Sequence, residues 1–182
     1  MSLVLAASAA SAAVANLSVQ DAANAADWSI QQNLAVGSVQ YGDRVFTFSA
    51  VPSSVAGAEW IRTANDSKAF TGTTLVTFTV DADSDVYVAH NDSITTKPSW
   101  LSAGNGWSDS GGNLVNNEGT PRTFSLFRKT FAGGSVVSLG NNGNTGSGLY
   151  TIVVKATGIV PPTPTPTSVP PTWASALSLI HI

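Results

Sequence analysis

Aromatic residues and a few polar clusters carry whatever chemistry this chain can do. Of its five tryptophans, Trp100 and Trp107 lie in a stretch rich in Ser, Gly and Asn, which reads as loop. An indole in a loop offers a flat, stiff face to the C–H side of a sugar ring, while neighbouring amides and charges pair its hydroxyls. The competing reading has Trp100, two residues after Pro98, plugging one end of a core. Trp60 sits in a strand pattern, where burial is the commoner fate of a large side chain. Beyond it, Arg62, Asn65, Asp66 and Lys68 gather where that strand ends. Read functionally they are a rim for hydroxyls or for a uronate carboxylate, which Arg and Lys pair well. Read structurally they are an ion pair and an Asx-type turn that fix the strand exit.

Two smaller groups follow. Asp81, Asp83 and Asp85 alternate in the way that hard oxygen ligands suit calcium, but the glycine and bidentate glutamate of an EF-hand loop do not follow. A solvated acidic turn accounts for the same residues. His90 and Asp92 form a polar pair at a strand end, suited to a hydroxyl ligand or to supporting a loop. A catalytic set is hard to assemble: Glu59 and Glu118 are the only glutamates, His90 is the only histidine before residue 181, and no strand-turn-helix frames a G-x-S-x-G nucleophile. With zero cysteines there is no thiolate metal site or cysteine nucleophile. At 10% charged residues and a net charge of -3, no basic field exists to hold a phosphate backbone. The expectation is a chain without enzymatic activity, without a nucleic-acid partner and without a cofactor, calcium at the three aspartates being the one candidate.

Something must position these side chains, and the composition says strands. Sixteen glycines, abundant Ser, Thr and Asn, and few Lys or Glu suit short strands and tight turns rather than amphipathic helices. Period-2 alternation dominates: in residues 75–80 the sequence LVTFTV sets Val and Phe on one face and Thr on the other. Residues 85–90, DVYVAH, repeat the pattern, and the pair reads as a hairpin across residues 81–84. Further strands are expected over 44–50, 58–64, 122–131, 136–139 and 149–156. Turn residues at 41–43, 111–113, 133–134 and 140–144 separate them. About seven to nine short strands with this spacing predict an all-β fold, an antiparallel β-sandwich of jelly-roll or immunoglobulin-like type. The module is expected over residues 28–158.

The flanks differ in kind. Residues 1–27 read as a signal-peptide-like segment and leader: an apolar, small-residue stretch ends in Ala13-Val14-Ala15, an A-x-A pattern with a cut expected after Ala15, although no Lys or Arg precedes Arg44 and an alanine-rich helical tail is the competing reading. The run is too short and too rich in Ser and Ala to span a bilayer, so no membrane anchor is expected. Residues 159–176 contain PPTPTPTSVPPT, an extended Pro/Thr linker that cannot join a sheet. Residues 177–182, LSLIHI, resemble the translation of a transposase-type sequencing adapter and are set aside from fold reasoning. The expected layout is one module of a longer secreted polypeptide, and the lack of cysteines leans toward a bacterial source.

Several motifs in order carry a family resemblance: GAEWIRTANDSK from Gly57, DVYVAHND from Asp85, KPSWL from Lys97, FSLFRKTFAGG from Phe124 and VSLGN from Val137. Together they resemble an accessory β-sandwich module appended to bacterial extracellular polysaccharidases, pectate and rhamnogalacturonan lyases among them. The likeness covers roughly residues 28 to 156, with a longer segment than usual at Ala103-Gly104-Asn105-Gly106. It implies a non-catalytic, carbohydrate-associated module, covalently linked to a catalytic domain and directed at a polysaccharide such as a plant cell-wall glycan. Two other functions stay open at this point: a structural spacer that stabilises a neighbouring catalytic domain, and a polysaccharidase fragment whose site is cryptic.

Overall fold

The computed structural model describes residues 14–158. The expected linker, residues 177–182 and the first thirteen residues of the leader lie outside the described residues. Within them the chain is all-β, with ten strands and three short 3-10 turns, one strand more than the upper expectation. Strands β1 (Val14–Val19), β5 (Val76–Val80) and β9 (Val136–Leu139) form a three-stranded sheet in the order β1-β5-β9. The others are β2 (Ser29–Gln31), β3 (Phe48–Ala50), β4 (Glu59–Arg62), β6 (Ser84–Asn91), β7 (Ser108–Asn116), β8 (Arg122–Phe131) and β10 (Thr151–Ala156). They form a seven-stranded sheet in the order β2-β4-β10-β6-β8-β7-β3, and all strand pairings in both sheets are antiparallel.

The two sheets meet over one core. Val76, Phe78 and Val80 of the small sheet cluster with Val86, Val88, Ile152 and Val154 of the large one. The opposite face of the large sheet is also dry: Tyr87, Ala89 and Val153 pack with Phe48, Trp60, Leu114, Phe124 and Leu126 under Leu34, Val55 and Ala58. That is why β6 and β10 read as nearly continuous apolar runs, each consecutive side chain finding a core on one side or the other.

Three expectations need correction. The runs at 75–80 and 85–90 are not a hairpin, because β5 pairs with β1 and β9 while β6 pairs with β10 and β8. The turn between them carries the chain from one sheet to the other, so that both apolar faces look into the same core instead of lying side by side. The folded body also starts before residue 28. Val14 is 7% exposed and pairs with Val80, and Ala15 pairs with Thr79, so a cut after Ala15 would remove the first two residues of β1. Finally, β7 replaces an expected loop. Its SDSGGNLVN sequence has little strand propensity, and the strand exists because β8 supplies partners on either side of a bulge between Asp109 and Asn113.

The sheets give the molecule two distinct ends. At one lie Val14 opposite Val80, Ala156 opposite Ser84, and Thr157 donating to the Asp83 carbonyl at 2.8 Å, so both described chain ends leave there. At the other lie the loops over residues 63–74, 92–101 and 140–149. No helix among the described residues is long and apolar enough to cross a membrane.

Candidate binding site

The loop end is built on a rigid plug. Trp100, half-buried, donates its indole N–H to the Asn141 carbonyl at 2.9 Å and stands edge-on to Trp107 (6.2 Å, 79°) and Tyr150 (5.6 Å, 69°). Gly140 is required beneath it, since a Cβ there would sit 2.4 Å from Trp100 Cδ1 and 2.8 Å from the Thr73 carbonyl. Tyr150 is fully buried and donates its hydroxyl to the Gly140 carbonyl at 2.8 Å; burial raises its pKa above the ordinary phenol value.

Three of the expected contact residues are therefore parts of the core or its plug. Trp107 is 5% exposed and packs on Phe131, and Trp60 is 3% exposed and meets Phe48 edge-on at 5.7 Å. Neither exposes a face to a ligand, and half-buried Trp100 packs against the core. The extra segment explains how: Ala103–Asn105 is an exposed 3-10 turn closed by left-handed Gly106, and it lets both indoles point inward. With Trp107 N–H on the Ser102 carbonyl at 3.1 Å, the turn folds back on itself.

The polar cluster after β4 divides. Asn65 is 3% exposed, and its side-chain oxygen accepts the Leu149 N–H at 3.2 Å. Arg62 turns its Nε to the Ser29 hydroxyl at 3.2 Å. Asp66 pairs with Arg44, an interaction that raises the arginine's pKa. Asp43, unremarked in the sequence, fixes the 3-10 turn Asn65–Ala69 by accepting the N–H groups of Asn65 and Asp66 at 2.7 and 2.9 Å. An Asp43→Ala substitution is expected to cost about 1–3 kcal/mol, because two backbone donors lose a carboxylate acceptor. Urea unfolding measures it, and a loss under about 0.5 kcal/mol would show that water replaces the carboxylate.

That turn positions Lys68, which lines an open cleft with Phe70, Thr71, Asn141, Gly143, Asn144 and Thr145. The cleft volume is about 370 Å³, within the range of small-ligand sites. Asn141 staples its two walls, donating to the Thr71 and Gly72 carbonyls at 3.1 and 3.0 Å and accepting the Gly143 N–H at 3.0 Å. Asn144 accepts the Gly146 and Ser147 N–H groups, which orders the far wall. Among the described residues the Lys68 ammonium has no ion pair, and the Thr71 and Thr145 hydroxyls have no protein partner. Half-buried Phe70 packs on the core edge and leaves part of its ring to the cleft. Part of an apolar ring, one cation, two threonine hydroxyls and the Asn144 amide thus line one concave surface.

His90 and Asp92 do not reach this cleft as a pair. Asp92 is exposed and accepts the Ser125 N–H at 3.1 Å, tying the β6 exit to β8. His90 has 0% exposure, stacks on Tyr150 and donates from Nε2 to the Asn142 carbonyl at 3.1 Å, while Nδ1 has no protein partner. Burial, reinforced by the nearby Lys97 charge, lowers its pKa to about 4. His90 is a neutral post beneath the 140–149 loop.

At the other end, Asp83 accepts the Gly133 N–H at 2.8 Å, and Asp85 accepts the Thr130 hydroxyl at 2.5 Å and faces Arg128. These two aspartates are spent on the turn and on β8. Among the described residues, no three His, Asp or Glu side chains are grouped so as to hold a metal ion.

No family model matches the chain, and no curated protein matches it. Among solved structures it is similar to a β-glucuronidase from glycoside hydrolase family 2, with a TM-score of 0.67 over 78% of this chain at 20% sequence identity. The matched region spans 14% of that protein's chain. At this identity the likeness establishes the fold: the ten strands form a β-sandwich that also occurs as a small part of a larger glycoside hydrolase.

Proposed function

We propose that this chain is a secreted, non-catalytic carbohydrate-binding module, and that it holds a polysaccharide chain in the Lys68–Phe70 cleft for a covalently linked polysaccharide-degrading domain. The observation that carries the reading is the cleft itself: part of the Phe70 ring, the Lys68 ammonium and hydroxyl-pairing groups line one concave surface at the end opposite both described chain ends. A domain tethered beyond residue 158 leaves that surface open. Binding would be passive, raising the substrate concentration around the tethered catalyst. The sandwich's occurrence within a glycoside hydrolase supports a carbohydrate setting. The resemblance to modules of pectate and rhamnogalacturonan lyases directs the ligand search to plant cell-wall glycans.

Affinity electrophoresis in gels containing pectin, xylan, glucan or mannan tests the reading. The protein is expected to be retarded by at least one, and Lys68→Gln or Phe70→Leu to weaken that retardation about 10-fold or more. Retardation that survives both substitutions would move the site elsewhere, and none on any polymer would favour a second reading. That second reading, a spacer that stabilises its catalytic neighbour, has its own support in the burial of Trp28, Trp60 and Trp107.

A further inference from the structure

Glu59, at the end of the sandwich opposite the cleft, is a buried acid among the described residues with no part in the cleft or its loops. Its side chain bridges the two sheets. From β4 it reaches the first residue of β1, where Oε2 accepts the Val14 backbone N–H at 3.0 Å, and Oε1 accepts Gln32 Nε2 at 2.8 Å. The residue is 7% exposed. Among the described residues no Lys, Arg or His pairs with it, and residues 1–13 contain none of these. The charged group facing it is Asp81, which repels it; burial first and Asp81 last raise its pKa, while the two hydrogen bonds lower it. A buried carboxylate held only by neutral donors is costly to keep ionised, and one positive charge at the Val14 nitrogen would complete it.

The sequence offers a way to place a charge there. Ser11-Ala12-Ala13 sets small residues at the -3 and -1 positions of the Ala13–Val14 bond, the pattern that leader peptidases cut. Ala10-Ser11-Ala12 offers the same pattern one bond earlier, so the pattern alone does not choose; Glu59 does. We propose that the mature chain begins at Val14, and that its new α-ammonium docks on the Glu59 carboxylate as a buried ion pair joining the two sheets. Hydrolysis by a leader peptidase adds one water across the Ala13–Val14 bond, leaving a carboxylate on Ala13 and an ammonium on Val14. At 3.0 Å the nitrogen already stands at ion-pair distance, so the strand need not move. The inference rests on the secretion reading and is independent of the saccharide reading.

The full chain is expressed in an exporting bacterial host and its mature start is read by intact mass and N-terminal sequencing. Val14 is expected; a start at Ala13 or Asn16, any other start, or an uncleaved chain overturns the proposal. A second arm needs no export. Chains beginning at Val14 and at Ala13 are released from a scarless fusion, and their melting is compared. Near pH 6.5 the Val14 chain is expected to melt about 5 °C higher. The α-amine's pKa is raised by its partner, so while Glu59 is ionised the gain is complete below the free-amine value of about 8; it is lost as pH rises through the raised value, and lost again in acid as Glu59 protonates. The gap should also vanish in Glu59→Gln, whose single amide oxygen can still accept the Val14 N–H, its NH2 then facing the Gln32 amide turned to present its oxygen. His90, at the far end, titrates alike in both chains and cancels. Equal melting of the two starts, or a gap that survives Glu59→Gln, would overturn the ion pair.

Discussion

A Trp107→Ala chain is expected to lose about 3–5 kcal/mol of stability, the usual cost of emptying a large aromatic site in a packed core. The indole lies between Trp100 and Phe131 and is 5% exposed, and Trp100 is the plug on which the loop end rests. Removing Trp107 takes away contact area and one side of the plug together, so the loss should fall at the upper end of the range. Denaturant unfolding followed by far-UV circular dichroism measures it. A loss below about 1 kcal/mol, combined with weaker binding to a retarding polysaccharide, would mean that the indole is a surface platform after all.

Acid is expected to unfold the chain early because of His90. Its pKa in the fold is about 4, against an ordinary 6.5, so between those values the unfolded chain binds a proton that the folded chain refuses. Stability from the neutral imidazole is thus complete above about pH 6.5 and falls as pH drops toward 4, by on the order of 3 kcal/mol in all. In a chain that continues upstream of Val14, Glu59 works in the opposite sense over part of this window, since its raised pKa adds relative stability as it protonates. The clean readout is therefore the difference between the wild type and His90→Gln, which shares Glu59. The difference between the two curves should change by on the order of 3 kcal/mol as pH falls from about 6.5 to 4; parallel curves would show that His90 accepts its proton inside the fold.

How far the sequence could be read depended on which neighbour each residue answers to. Strands β8 and β9 appear at the bounds that alternation predicted, because each side chain's fate there follows from its own face. The crossing between β5 and β6 was not legible: alternation says which face is apolar, but not whether the next strand lies beside it or across the core. β7 was hidden for a related reason, since its glycines and serines are strand only because β8 holds them.

The site divides in the same way. Lys68 is visible in the sequence as part of a polar run, but that run does not hold its own turn: Asp43 accepts its N–H groups, Asp66 pairs with Arg44, and Asn65 reaches Leu149. Phe70, Asn141, Asn144 and Thr145 were missed, because the walls of the cleft meet across about seventy residues of chain. The asparagine and glycine run at 140–144 looked like a turn and is one; its role as a wall appears only once Asn141 bonds Thr71. The tryptophans mislead because a loop-like sequence around an indole does not by itself expose it. The Ala103–Asn105 turn is indeed exposed, and its function is to send its flanking indoles inward.

The central claim is that a saccharide lies in the cleft at the end away from both described chain ends. Amide chemical-shift mapping with an oligosaccharide cut from whichever polysaccharide retards the protein tests it most directly. The shifted amides are expected to gather at residues 68–72 and 141–146, with little change around Glu59, Asp83 and Gly133. Shifts centred on the opposite end or on the outer faces of the sheets, or no shifts at millimolar sugar, would contradict it.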